Sequence, residues 1–208
     1  MSKERNNYAA LACSALLAVS VSTAAFAGDV NKLVEVCSSC HGKDGNSAEA
    51  DIPNIASYSV EYVTKSLTRY QKKERPCIET EIRSGSKKGS KSDMCKIAAG
   101  LSESDIAQLG EFFAGQTFVR TAQATDAEMV KKGKSIHNKK CFTCHAESGS
   151  EPSDHSGILA GQKMGYLKQE IKFFKEGKRP ISKKMKPKLE SLDDAEIEAV
   201  IQYYGSIQ

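Results

Sequence analysis

The sequence predicts an all-α protein built as two tandem domains of one plan. Three observations carry this. The stretch Cys37-Ser38-Ser39-Cys40-His41 returns 104 residues later as Cys141-Phe142-Thr143-Cys144-His145. Each copy closes on an amphipathic helical pattern, and neither copy shows the alternation of a strand. The repeat is therefore a supersecondary unit used twice.

Along the chain, Lys3 and Arg5 precede an apolar run over 9–21, and Ala25-Phe26-Ala27 follows with the small-x-small pattern of a cleavage site. Residues 1–27 read as a signal peptide cleaved after Ala27, too short in its apolar part to anchor in a bilayer. Cys13 would leave with it. The remaining residues divide into a first domain at 28–114, a linker at 115–125 and a second domain at 126–208. No other apolar run approaches membrane length, so no transmembrane segment is expected after cleavage. The whole chain has a formal net charge of +4, too weak to argue for nucleic acid.

The offset of 104 holds through Ile55-Ala56 and Leu159-Ala160, Tyr62 and Tyr166, Tyr70 and Phe174, and Arg75-Pro76 and Arg179-Pro180. It then falls to 91, pairing Met94 with Met185 and Leu101 with Leu192, so the first copy holds 13 extra residues between Pro76 and Met94. Middle helices are expected over roughly 59–73 and 163–176, the second with an apolar stripe of Tyr166, Leu167, Ile171 and Phe174. The closing helices begin at Ser102 with Asp105 and at Asp193 with Glu196, the spacing of a capping box. A further helix is expected to start near 125–128 and run into the second Cys-x-x-Cys-His motif.

That motif is the attachment sequence for c-type heme. On one helical turn, cysteines at i and i+3 face the same way, so each thiol can add to a heme vinyl group. A histidine at i+4 follows on that face and can bind the iron. Cys37 and Cys40 would hold one heme with His41 as its ligand, and Cys141, Cys144 and His145 a second. A redox dithiol would leave the histidine unexplained, and zinc would require four ligands per site. Two copies in register on an exported chain favour two covalently bound hemes c.

A low-spin carrier needs a sixth ligand. Within 28–120 the only methionine is Met94 and the only histidine His41. The second copy offers Met129, Met164, Met185, His137 and His155, of which Met185 alone keeps register with Met94. Met164 reads as a core residue, and His137 and His155 as surface residues. Cys77 and Cys95 bracket the insertion, and in an oxidising compartment they read as a disulfide.

The attachment motif near each domain start, the later methionine and the closing helix with an aromatic pair resemble class I cytochrome c. Two such domains in tandem resemble the diheme cytochrome c4 family and the cytochrome subunit of flavocytochrome c sulfide dehydrogenase. Residues 144–149, 158–162 and 179–189 look closer to the latter than to the former, whereas the Cys77/Cys95 pair departs from the cytochrome c4 pattern. The resemblance implies His41/Met94 and His145/Met185 as axial pairs and a pseudo-twofold arrangement of the two domains. It also implies a periplasmic, non-catalytic electron carrier, free or as the heme subunit of a sulfide-oxidising flavoprotein. Its partners would be that flavoprotein, a membrane quinol-oxidising complex or a terminal oxidase. A diheme peroxidase is the alternative. It would need one iron with an openable sixth position, which methionines in register in both copies weigh against. Lys178, Arg179, Lys183, Lys184, Lys186 and Lys188 surround Met185 and would favour an acidic partner.

Overall fold

Capping side chains set where six of the nine α-helices among the described residues begin. The computed structural model describes residues 29–208, so the expected signal peptide and Cys13 lie outside the described residues. Helix α1, Val30–His41, starts where the Asp29 carboxylate accepts from the Asn31 amide, and α2, Val60–Gln71, where Ser59 accepts from Tyr62. The insertion follows as a two-stranded antiparallel hairpin, β1 Thr80–Glu81 with β2 Lys91–Ser92. It is the one strand pairing among the described residues of an otherwise helical chain. Asp93 then caps the short α3, Met94–Ala99. Helix α4, Glu103–Ala114, opens with a complete Ser102/Asp105 capping box. Each such cap contributes about 1 kcal/mol.

The second copy repeats the plan. Asp126 caps α5, Ala127–Ile136, which passes into a π-helical turn, His137–Cys141. A short, irregular α6, Ala146–Gly149, leads to α7, Met164–Lys175, then α8, Met185–Glu190, and α9, Asp194–Ser206, with its own Asp193/Glu196 capping box. The repeat reaches the loops. The amides of Ile55 and Ala56 both donate to the Gly45 carbonyl, and those of Leu159 and Ala160 both donate to the Gly149 carbonyl. Gly45 (φ 76°) and Gly149 (φ 77°) take the same left-handed backbone, which glycine adopts without cost.

Each copy has its own core. Val34, Leu67, Ile106, Leu109 and Phe113 fill the first, and Ile136, Leu167, Ile201, Tyr203 and Tyr204 the second. Side chains of this size contribute about 1.5–3 kcal/mol each when fully buried. In the second copy α5 lies directly on α9. A Cβ on Gly133 would come within 2.0 Å of the Ala199 carbonyl oxygen, so only glycine permits that approach.

The two copies are joined by more than the linker. The fully buried Gln162 donates to the Asn54 carbonyl (2.8 Å) and to the Tyr58 hydroxyl (3.0 Å), and accepts from the Asn54 amide (3.0 Å). Asn54 in turn donates to the Val119 carbonyl in the linker. Ile158 of the second copy packs into the first core. A buried polar network satisfied on both sides fixes one relative placement of the domains.

Candidate functional site

The first Cys-x-x-Cys-His motif occupies the last turn of α1, as the periodicity requires. Cys37, Cys40 and His41 line a cavity of about 1070 Å³ together with Pro53, Leu67 and Met94. Ligand pockets are commonly about 300–1,000 Å³, so the space suits a group as large as a porphyrin. His41 is buried, and its Nδ1 lies 2.9 Å from the Pro53 carbonyl oxygen. A carbonyl only accepts, so Nδ1 carries the proton and Nε2 keeps its lone pair for a metal. Burial also lowers the pKa of His41, against the opposing pull of the Pro53 carbonyl, which favours the neutral ring a metal needs.

The cysteine chemistry agrees. Burial, opposed by a backbone hydrogen bond and aided by Cys40, pushes the Cys37 thiol up to about 12. A redox dithiol needs a depressed thiol pKa, so the first motif is unsuited to disulfide exchange. A neutral thiol placed beside a large apolar cavity fits addition to a vinyl group instead.

Met94 is the first residue of α3, and Met185 is the first residue of α8. The two methionines thus hold the same structural place, although 13 residues are inserted ahead of Met94. Met94 lines the cavity with His41. Met129 and Met164 pack against the second core.

The second motif differs from expectation. It does not lie on one regular helical turn: Cys141 ends the π-helical turn, and His145 has an extended φ of −134°. Cys144 is exposed, as is Phe142. His145 Nδ1 faces the Ser156 hydroxyl at 3.2 Å, where His41 faces a carbonyl. His155 is exposed, as expected, beside Glu61 and Ser59. His137 corrects the surface reading, for it is only 1 % exposed. The π-helical turn aims its ring inward against Tyr203 and Tyr204, with Nδ1 2.9 Å from the Tyr204 hydroxyl. π-Helical turns often occur at functional positions.

Sequence reasoning missed a charged cluster between the domains. Arg75, from the first copy, and Arg179, its counterpart, both bond the Glu170 carboxylate. Each guanidinium lies over an aromatic ring at 4.4 Å, Arg75 on Tyr70 and Arg179 on Phe174. The repeated Arg-Pro pair and the repeated aromatic at one offset were the available signal. Arg75 and Glu170 also line the cavity. The Nε atoms of both arginines are buried and have no partner among the described residues. Two guanidiniums against one carboxylate leave positive charge and free donors, which fits a group bearing carboxylates, as heme does. The first site therefore fits a heme by cavity, metal-binding nitrogen, thiols and charge.

The chain is similar to several known proteins. Residues 128–203 match the family described as cytochrome c oxidase, cbb3-type, subunit III. The chain is 27 % identical over 190 residues to cytochrome c4 of Azotobacter vinelandii, covering 80 % of this chain and 83 % of that protein. It is 26 % identical to a thiosulfate dehydrogenase electron acceptor of Stutzerimonas stutzeri, covering 86 % and 82 %. The crystal structure of reduced recombinant cytochrome c4 from Pseudomonas stutzeri superposes with a TM-score of 0.69 at 25 % identity, covering 86 % of this chain and 97 % of that one.

Proposed function

We propose that this chain, a diheme class I cytochrome c with two tandem domains and two covalently bound hemes c, carries single electrons between redox proteins of the periplasm. Residues 1–27 direct export, and the two domains span 28–114 and 126–208 about a linker at 115–125. Cys37 and Cys40, and Cys141 and Cys144, form the thioethers. His41 with Met94 and His145 with Met185 are the axial pairs. When bound, each heme supplies a one-electron centre.

The observation that carries this reading is His41. Its Nδ1 is committed to Pro53, its Nε2 is free, and it lines one cavity with Met94. Neutral histidine opposite a thioether favours a higher potential than two histidines would. A thioether held by the helix that begins with it leaves no position for substrate, so the chain transfers electrons without making or breaking bonds. That argues against a diheme peroxidase.

The electron donor is a dehydrogenase of a reduced sulfur compound. The similarity to a thiosulfate dehydrogenase electron acceptor supports this, and a flavoprotein that oxidises sulfide belongs to the same chemical class. The lysines around Met185 would steer a partner with an acidic face.

Mass spectrometry of the purified protein tests the attachment. The expected mass is that of residues 28–208 plus two hemes, both surviving acid-acetone extraction. Extraction of either heme would overturn the thioether assignment of its motif. Copurification of a dehydrogenase with the native protein would identify the donor.

A further inference from the structure

The inserted hairpin sits on the first attachment motif. The amides of Arg83 and Ser84 both donate to the Ser39 carbonyl, at 3.0 and 2.9 Å, and the Ser84 hydroxyl donates to it as well at 3.2 Å. Ser39 lies between the two cysteines of that motif. Arg83 is anchored to Asp51 at 2.6 Å, and the buried Ile82 turns into the cavity wall. The base of the hairpin is closed by the Cys77–Cys95 disulfide. The hairpin is thus fastened at its base, at its middle and on the motif itself.

The second copy has no such element. Only four residues separate Pro180 from Met185, and both Cys144 and Phe142 are exposed, Phe142 by 50 %. Cys37 and Cys40 are only partly accessible.

We infer that the disulfide-closed hairpin covers the thioether edge of the first heme site, so that protein partners exchange electrons at the second domain. This inference rests on the reading of the two motifs as heme attachment sites. Electron tunnelling falls off exponentially with distance. The backbone at Arg83 and Ser84 lies directly on the motif and so stands between it and a docked partner, which lengthens the path for direct exchange with the first site. Electrons reach the first site from within the molecule, through the interface that Gln162, Arg75 and Glu170 hold closed. Each exchange is a one-electron step: the partner loses one electron and the second domain gains it, or the reverse.

The test uses the ferrous holoprotein and a soluble nitroxide, which relaxes protons according to their surface access and transfers no electron. The thioether protons at Cys40 are expected to relax severalfold more slowly than those at Cys144. Replacing residues 84–90 by Asn-Gly should bring the two rates together. Equal relaxation in the wild-type protein would overturn the inference whether or not the shortened variant folds. Absence of thioether resonances would instead overturn the attachment reading. A second measurement follows reduction of the ferric protein by the hydroquinone of flavodoxin, an acidic flavoprotein, which is oxidised by one electron to its semiquinone. Lys183→Glu should slow it severalfold, and Lys87→Glu, on the hairpin, should leave it unchanged. The opposite ranking would make the hairpin a docking surface and overturn its role as a cover.

Discussion

The Arg75 guanidinium of the first domain lies 3.1 Å from the Glu170 carboxylate of the second, and both side chains are buried. Arg179 bonds the same carboxylate, so one anion neutralises part of two cations inside the domain interface. Removing one partner of a buried pair leaves charge uncompensated.

Glu170→Gln is therefore expected to destabilise the protein by on the order of 3 kcal/mol, read from denaturant unfolding. It should also raise the potential of the first heme, because lost negative charge near the cavity disfavours the ferric state. An unchanged potential would show that the cluster does not face the heme.

The hairpin closure is a second point of test. Intact protein should hold no alkylatable Cys77 or Cys95 before reduction, and a peptide pair joined through them should appear in a digest. Cys77→Ser with Cys95→Ser should cost about 3 kcal/mol of stability, the chain-entropy contribution of a loop this short. Because Met94 adjoins Cys95 and begins α3, the first heme should also lose methionine ligation at a lower temperature than the second.

His137 gives a pH dependence of known sign. Burial holds its pKa below the ordinary 6.5, so the folded protein keeps it neutral while the unfolded chain protonates it. The unfolded state then binds more protons. Stability rises with pH through this window and is lost as pH falls below about 6.5. With His41 and His145 proposed as iron ligands, His137 is left as the buried histidine free to titrate among the described residues. His137→Gln should flatten the acid side of the stability profile near pH 6. Tyr204→Phe, which removes the hydroxyl facing Nδ1, should cost about 1–3 kcal/mol.

Much of this was legible in the sequence because it is local. The capping boxes at Ser102 and Asp193, the middle helices and the first motif's helical turn follow from spacing within a few residues. The register of Met94 with Met185 was legible because both begin a helix whose neighbours repeat. What escaped depends on contacts distant in sequence. His137 reads as one more polar residue among lysines, and only the packing of Tyr203 and Tyr204 from α9 shows that it is buried. Glu170 has no charged counterpart in the first copy, where Ser66 stands, so comparing the copies hid its role between the two arginines. The docking of the hairpin onto Ser39 likewise joins segments more than 40 residues apart.

Redox titration of the two methionine variants tests the central claim most directly. Met94→His and Met185→His should each lower one of the two heme potentials and leave the other nearly unchanged, because imidazole stabilises ferric iron better than a thioether does. Both hemes should stay attached, since Cys37, Cys40, Cys141 and Cys144 are untouched. If Met185→His leaves both potentials where they were, Met185 is not a ligand. The second iron would then be bound otherwise, and the account of a closed, two-centre electron carrier would be contradicted.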